Sequence, residues 1–307
     1  MNGVLLLNKP KGLTSHDCVF KIRKLLKEKR VGHTGTLDPD VTGVLPICIG
    51  RATKIAQFLT SDTKTYEGEV TLGFSTTTED ASGEVVEQKA VERNISRDEV
   101  EAVLASLTGT MKMVPPMYSA VKVNGKKLYE YARAGLEVER PIREITIHEF
   151  ALLDDRKEFT GSPLSFSFRV TCSKGTYVRT LAVMIGERLG YPAHMSSLVR
   201  TASGPFMLSE CVTFEQLEEK VQTNTVQDIL YSIEQSLQTF PKIIVKDEQI
   251  EKVMNGAFLP NSMHDYTGYS LVCDQVGTCL AIYEQHPQKS NVLKPLKVLV
   301  NNQELKI

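Results

Sequence analysis

Residues 32–50 form the stretch that most constrains this chain, because a dense polar loop runs directly into an apolar segment. Gly35 and Gly43 permit backbone angles that side chains exclude, and Pro39 fixes its own φ and pushes Asp38 toward an extended conformation. The pattern predicts a loop that presents Asp38 at its tip, followed by a buried strand over residues 44–49. Composition alone is equally compatible with a plain turn between a helix and a strand.

Length and composition bound the class of protein. The 307 residues suggest about two domains, and the hydrophobic (41%) and charged (24%) fractions are typical of a soluble protein with a normal core. No apolar run reaches the ~18 residues of a membrane-spanning helix, and the short apolar N-terminus lacks a signal-peptide pattern. Scattered cysteines and dispersed histidines suit reduced thiols and predict no metal site. We therefore expect a cytoplasmic protein without membrane contact.

Positive charge is concentrated near the N-terminus although the net charge is −1. Residues 1–32 carry eight basic and two acidic side chains, an excess of six positive charges. A local basic face on a neutral protein suits a polyanion such as RNA. A solvated helix face is the commoner meaning of such a run.

Hydrophobic periodicity predicts a mixed α/β (α+β) architecture for residues 1–240. A strand over residues 4–7 precedes a helix capped by Thr14 or Ser15. The other predicted strands are residues 66–74, 145–152 and Leu164–Cys172, and the other predicted helices are a short one after Gly50, one from the capping box at Ser96, one over residues 177–189 and one over residues 214–221. Residues 75–83 are predicted as a loop and residues 198–200 as part of a link.

Two further segments stand apart. Residues 118–144 contain an Asn124-Gly125 hairpin signal among lysines and arginines, which predicts an inserted basic arm. A polar stretch ends near Phe240, so residues 241–307 are predicted to be a separate small module. Its pattern predicts one helix over residues 248–254 and strands at Tyr269–Cys273, 279–285 and 296–300.

A carboxylate at a loop tip can act as a general base, a nucleophile or a metal ligand. Asp38-Pro39-Asp40-Val41-Thr42 matches the Asp-x-Asp-x-Thr pattern of aspartate-based phosphatases. That pattern needs an apolar strand directly before its first Asp, and residues 32–37 do not predict one. A phosphatase is therefore the weaker interpretation, because short motifs recur by chance.

Several longer motifs resemble the TruB family of pseudouridine synthases, the bacterial tRNA pseudouridine-55 synthases. They are residues 5–15, residues 31–39, Lys64-Thr65-Tyr66, residues 115–122 and residues 172–180, in a single order over residues 4 to 204. The resemblance implies a mixed β-sheet with flanking helices, with the basic arm inserted. It also implies a small C-terminal β-rich module of the PUA type, which binds RNA.

The resemblance also implies a reaction, in which uridine 55 in the T-loop of tRNA is flipped out, detached, rotated and rejoined to its sugar through carbon. Asp38 is implied to be the nucleophile and Tyr66 a proton-transfer or stacking residue. No cofactor is implied, because the bonds broken and formed balance. Arg179 can pair bidentately with Asp38 and hold it ionised. Flipping costs a few kcal/mol, and stacking by His33 can brace the vacated space.

The remaining site residues are implied to bind the substrate. Tyr177 and Leu198 correspond to family positions that line the uridine pocket. Lys64 is expected to touch phosphate or brace the site, and a solvated lysine is the alternative. Read without the resemblance, His33 is a loop histidine bonded to backbone, and Tyr66 and Leu198 are ordinary core residues.

Four basic side chains are expected to contact the RNA backbone, namely Lys9, Lys126, Lys127 and Arg133. The expected partner is the T-stem-loop of tRNA, bound by a monomer without an obligate protein partner. The alternative from another class is a non-catalytic tRNA-binding chaperone that uses the same surface.

Overall fold

The computed structural model describes residues 1–60, 63–261 and 268–300. The helices are α1 Ser15–Leu26, α2 Ala56–Thr60, α3 Arg97–Ser106, α4 Leu128–Arg133, α5 Val178–Leu189, α6 Phe214–Gln222, α7 Ile233–Ser236 and α8 Asp247–Met254. Short 3₁₀ helices span Gly50–Ile55, Leu208–Glu210 and Val226–Ile229. The strands are β1 Gly3–Lys9, β2 Val31–His33, β3 Thr42–Ile49, β4 Lys64–Leu72, β5 Phe74–Thr76, β6 Val85–Gln88, β7 Ile95–Ser96, β8 Gly109–Met113, β9 Lys122–Val123, β10 Lys126–Lys127, β11 Arg143–Leu152, β12 Glu158–Phe159, β13 Leu164–Cys172, β14 Ala193–Ser203, β15 Phe206–Met207, β16 Leu230–Tyr231, β17 Lys242–Ile244, β18 Leu259–Pro260, β19 Tyr269–Cys273, β20 Cys279–His286 and β21 Lys289–Val298.

A mixed sheet of ten strands forms the centre of the described part of the chain. Its order is β16-β1-β3-β14-β4-β13-β11-β8, with β2 paired to β3 and β15 paired to β14. The pair β3–β14 is parallel and the other pairs of this sheet are antiparallel. The mixed fold predicted from the sequence is confirmed.

Strand β14 is the main element that the sequence pattern missed. The predicted link at residues 198–200 is wrong, because these residues lie inside an eleven-residue strand between β3 and β4. Two irregularities in its pairing with β4, at Met195/Ser197 and Arg200/Ala202, interrupt the period of two. A strand without that period gives no alternation for sequence reading to detect. The predicted loop over residues 75–83 is also too long, since Ser75 and Thr76 belong to β5.

The sheet is covered on both faces near β1 and β3. Leu5 and Leu7 belong to the core beneath α1, α3, α5 and α6, whereas Val4 and Leu6 belong to a second core on the other side. Alternate residues of a strand point to opposite faces, so the apolar side chains of β1 are buried on both faces of the sheet.

The C-terminal sheet supplies the second covering layer. Its strands run β17-β19-β20-β21-β18, and residues such as Leu271 and Tyr283 share the second core with Val4 and Leu6. The ammonium of Lys54 donates to the carbonyl oxygens of Val298 and Leu299, at 3.0 and 3.2 Å. The β-rich module is confirmed, although its last strand is β21 rather than residues 296–300. A boundary near Phe240 stays a prediction, and residues 301–307 lie outside the described part.

The arm leaves the main sheet where β8 and β11 pair at Met113 and Arg143. Within it, β9 and β10 form a hairpin whose turn residues Asn124 (φ 49°) and Gly125 (φ 83°) are both left-handed. Two left-handed residues are the conformation of a type I′ turn, so the hairpin predicted there is confirmed. α4 follows directly after the hairpin.

Candidate active site

The loop that carries Asp38 is fixed on both sides of the aspartate. The hydroxyl of Ser15 at the start of α1 accepts from the Leu37 N–H at 2.8 Å. On the other side, the carbonyl oxygen of Pro39 accepts from the Gly12 N–H at 2.9 Å and from the Lys9 ammonium at 3.0 Å. Bonds at both neighbours hold the position of the carboxylate without restricting the carboxylate itself.

Lys9 is therefore a structural residue. Its side chain is fully buried, and its ammonium also donates to the carbonyl oxygens of Pro10 (2.8 Å) and Leu13 (2.6 Å). The prediction that Lys9 contacts RNA phosphates is wrong, because these three carbonyls surround the ammonium and no solvent reaches it. The sequence showed only a basic residue beside a Pro-Lys-Gly turn, and such a residue is usually exposed.

Arg179, in the first turn of α5, binds Asp38 through a single nitrogen. Its Nε lies 3.0 Å from Asp38 Oδ2, and its guanidinium is almost completely buried. The terminal nitrogens donate elsewhere, to the carbonyl oxygens of Thr78 (2.9 Å) and Tyr118 (2.8 Å). The predicted pairing is present, but the predicted bidentate geometry is wrong. Arg179 instead joins the Asp38 loop, the β5–β6 turn and the base of the arm.

The pKa of Asp38 is raised above its ordinary value. Burial is the largest cause, and the negative charges of Asp80 and Asp40 add to it, whereas Arg179 and Lys9 oppose it. The side chain retains 41% of its exposure, so a substrate can reach the carboxylate directly. A raised pKa also increases the intrinsic nucleophilicity of the ionised group.

The turn between β5 and β6 contacts Arg179 and so belongs to the candidate site, whereas the sequence predicted only a loop there. Asp80 Oδ2 lies 3.8 Å from Arg179 Nη1, and its Oδ1 accepts from the hydroxyls of Thr78 and Ser82, both at 2.6 Å. The next residue of α5, Thr180, donates to the Glu79 carboxylate at 2.7 Å. The signal was available, because this run of Thr, Asp, Ser and Gly resembles the Asp38 loop in composition.

A cavity of about 260 Å³ opens beside Asp38 and Arg179. Its lining includes four further predicted site residues: Lys64, Tyr66, Tyr177 and Leu198. Tyr66 and Lys64 come from β4, Leu198 from β14, and Tyr177 is the residue that precedes α5. The ammonium of Lys64 is buried and donates to the Thr60 carbonyl at 2.8 Å, which favours the bracing role over a phosphate contact. The structure thus brings these four residues together with Asp38 and Arg179.

A second cavity of about 600 Å³ also borders the Asp38–Arg179 pair. Asp38, Arg179 and Leu198 line both cavities, and Tyr129 and Arg133 of the arm line this one. The Arg133 guanidinium and the Lys127 ammonium each lie 5.3 Å from the centre of the Tyr129 ring. An aromatic ring beside two cations is suited to nucleic acid, since it offers stacking and charge together.

His33 and Lys126 lie outside these cavities, judged on the described residues that line them. His33 ends β2, and its Nδ1 accepts from the Gly35 N–H at 3.3 Å. Burial and then the nearby charge of Arg200 lower the pKa of His33, so its ring is neutral at physiological pH. A role in bracing a flipped-out space stays a prediction, as does contact of exposed Lys126 with RNA.

Arg200 was not identified from the sequence at all. It lines the first cavity from β14, where only a link was expected, and its neighbour Thr201 continues the same strand. Asp40, by contrast, is exposed and lies 3.9 Å from the ammonium of Lys11. The segment before Asp38 is not a strand, because β2 ends at His33, so the phosphatase interpretation lacks its structural requirement.

No metal site and no membrane span emerge from the described residues. Within them, no group of three or more His, Cys, Asp or Glu side chains is placed to hold a metal ion. None of their helices has the length and apolar character needed to cross a bilayer.

Two protein-family models and several full-length relatives match this chain. A family model described as "TruB family pseudouridylate synthase (N terminal domain)" matches residues 23–178, and one described as "tRNA pseudouridylate synthase B C-terminal domain" matches residues 179–238. The chain is 71% identical to tRNA pseudouridine synthase B of Bacillus cytotoxicus over 100% of both chains. It is 61% identical to the protein of that name from Geobacillus thermodenitrificans, over 97% of this chain and 99% of the other.

Solved structures show the same fold. A chain in the crystal structure of a Cbf5-Nop10-Gar1 complex is 26% identical, with a TM-score of 0.75 over 98% of this chain and 86% of that one. A chain of the archaeal box H/ACA Nop10-Cbf5 complex has a TM-score of 0.72 at 24% identity, over 97% and 86%. From the family models and the full-length relatives, the chain belongs to the TruB family of pseudouridylate synthases.

Proposed function

We propose that this enzyme converts uridine 55 in the T-loop of tRNA to pseudouridine, with Asp38 as the nucleophile. The observation that supports it most is the position of Asp38. Its carboxylate forms an ion pair with Arg179, retains 41% of its exposure and lines both cavities. One cavity can receive a single flipped base, and the other can hold the adjoining strand.

The first cavity has the chemistry of a base pocket. The Tyr66 and Tyr177 rings and the Leu198 side chain supply apolar walls, against which a uracil ring can stack once it leaves the loop. The Asp38 carboxylate lies at the edge of this pocket, so it can reach the sugar or the edge of the base. Both points of attack are compatible with this geometry.

Arg179 prepares the nucleophile. Its positive charge opposes the effect of burial on the Asp38 pKa and so favours the ionised carboxylate. Two backbone carbonyls hold the guanidinium in turn, so Arg179 cannot follow a moving substrate. Such preorganisation costs no rearrangement at the moment of reaction.

tRNA as the substrate is supported by the names of the full-length relatives and by the arm. The arm places Tyr129 and Arg133 on the second cavity, where backbone phosphates next to the flipped nucleotide would lie. Lys126 and Lys127 extend this positive surface along the hairpin. Phosphate contacts of this kind position the substrate, while base flipping selects it.

The decisive experiment compares Asp38→Asn with Asp40→Asn on an unmodified tRNA transcript. Asp40 is a matched control, because it lies two residues away in the same loop and is exposed. We expect Asp38→Asn to abolish pseudouridine formation while tRNA affinity stays within a few-fold, and Asp40→Asn to remain active. Product from the Asp38→Asn enzyme would exclude Asp38 as the nucleophile.

The same assay tests the chaperone alternative and the position of the modification. A chaperone would produce no pseudouridine with the unsubstituted protein under single-turnover conditions. A transcript that carries cytidine at position 55 should bind and yield no product, and product elsewhere in that transcript would contradict the proposed site.

A further inference from the structure

Arg200 is a buried cation whose placement the proposed reaction does not yet use. It lies on β14 directly opposite Tyr66 of β4 in the strand register, and its side chain is 2% exposed. Both residues line the cavity that Asp38 borders. The Nε of Arg200 donates to the Val44 carbonyl oxygen at 2.7 Å, which fixes the plane of the guanidinium.

The backbone around Arg200 is equally constrained. Gly43 (φ 107°) faces it in the parallel pair β3–β14, and a Cβ at Gly43 would come within 2.2 Å of the Arg200 carbonyl oxygen. Glycine is therefore required at residue 43 so that β14 can approach β3. The backbone of Arg200 is therefore held against β3 at this point.

The guanidinium retains hydrogen-bonding capacity that the resting protein does not use. Its Nη2 is buried without a hydrogen-bond partner, and in the described part of the chain no carboxylate forms an ion pair with Arg200. An unsatisfied buried donor and an uncompensated buried charge are both costly. Proteins retain such an unfavourable arrangement at functional sites, where the group can stabilise charge that develops during a reaction.

Tyr66 is the group beside Arg200 on which negative charge can develop. Burial raises the pKa of the Tyr66 phenol, and the positive charge of Arg200 is the largest influence that opposes it. The other titratable groups around the phenol are Asp38 on its loop and the Cys172 thiol on β13. Cations on the same cavity are Lys64, Lys174 and Arg179.

We propose that Arg200 is a positioning residue that holds the Tyr66 oxygen and stabilises its phenolate, so that Tyr66 can accept the proton released during isomerisation. This proposal rests on the proposed function. In that reaction the N1–C1′ bond breaks and the C5–C1′ bond forms. The phenol first loses its proton to solvent, the C5 hydrogen then leaves as a proton to the phenolate, and N1 takes a proton from solvent, so that no oxidant or reductant is needed.

The test uses the full-length enzyme and the pH dependence of the single-turnover rate. Replacing Tyr66 with 3-fluorotyrosine lowers the phenol pKa and brings the alkaline inflection into a range where RNA survives. In that background we expect Arg200→Gln to move the inflection upward by about one pH unit, and to slow the reaction about tenfold below it. Arg200→Lys retains a cation and should give an intermediate shift.

Three outcomes are distinguishable. If Arg200→Gln folds, binds tRNA and reacts at the normal rate with an unmoved inflection, the proposal is overturned. If it reacts more slowly and the inflection is still unmoved, Arg200 has a purely structural role, and the proposal is overturned equally. Failure of the proposed function is read separately, from product formation by Asp38→Asn.

A measurement without substitution at residue 200 covers the case in which both variants fail to fold. In the otherwise native protein, the ¹³Cζ resonance of Tyr66 and the ¹⁵Nη resonances of Arg200 should titrate with a common midpoint. This midpoint is independent of turnover. Separate midpoints, or an Arg200 signal that does not respond to ionisation of Tyr66, would contradict the proposal.

Discussion

Lys9→Met tests whether this lysine organises the Asp38 loop or contacts RNA. Methionine keeps much of the length and volume of lysine but removes the charge and the three donated hydrogen bonds. The Pro39 carbonyl oxygen would keep its bond from the Gly12 N–H, whereas the carbonyls of Pro10 and Leu13 would lose the ammonium. At about 1–3 kcal/mol for each acceptor left unsatisfied, and with exposed Pro10 partly compensated by water, we expect the free energy of unfolding to fall by about 2–4 kcal/mol.

The assay combines urea unfolding with tRNA binding at several salt concentrations. Because the ammonium of Lys9 is buried, the salt dependence of binding should not change in Lys9→Met. The rate of pseudouridine formation should fall, since the loop that holds Asp38 loses one of the hydrogen bonds that fix it. Lys126→Met is the matched control: it removes an exposed charge from the arm, so stability should not change while the salt slope becomes shallower by about one.

The opposite pattern would refute this reasoning. If Lys9→Met left the free energy of unfolding unchanged and made the salt slope shallower by about one, Lys9 would contact a phosphate. The burial and the three carbonyl contacts would then not describe the protein in solution.

Three other predictions concern the carboxylate and the backbone. Single-turnover rates measured from about pH 4 to 8 should show an acid limb above the ordinary aspartate pKa of about 3.9, because burial raises the pKa of Asp38 and only the ionised form can attack. Asp80→Asn should move this limb to lower pH and Arg179→Gln should move it higher, since the first removes a negative charge and the second a positive one; shifts of opposite sign would contradict the assigned causes. Gly43→Ala should lower the free energy of unfolding in urea by at least about 3 kcal/mol, because the added Cβ meets the β14 backbone. Gly12 also has a left-handed φ but faces open space, so Gly12→Ala should lower it by only about 1–2 kcal/mol. Equal losses of stability would exclude the clash.

Asp80 shows how a residue absent from sequence reasoning becomes part of the site. Its turn lies about 40 residues beyond Asp38 in the chain, and no local pattern connects the two. They meet because Arg179, from a third segment, binds the carboxylate of Asp38 and the backbone of the β5–β6 turn. A guanidinium with several donors can join three segments, but the partners it selects depend on the assembled fold.

The sequence alone determined the features that depend on neighbouring residues. Gly, Pro and Asp together specified a rigid loop with Asp38 at its tip, Asn124-Gly125 specified a hairpin turn, and the regular alternation of β13 specified a strand. These features follow from backbone sterics and from a periodicity that spans only a few residues. The motifs around Asp38, Tyr66 and Arg179 likewise placed the chain in its family.

Only the tertiary structure decided what depends on long-range pairing and burial. It placed β14 between β3 and β4, made Lys9 a support of the loop, gave Arg179 a single contact with Asp38, and positioned Arg200 opposite Tyr66. The physical reason is that the identity of a charged residue does not show whether its side chain is solvated or buried. Its meaning comes from the carbonyls and carboxylates that surround it, and those are contributed by segments far away in the chain.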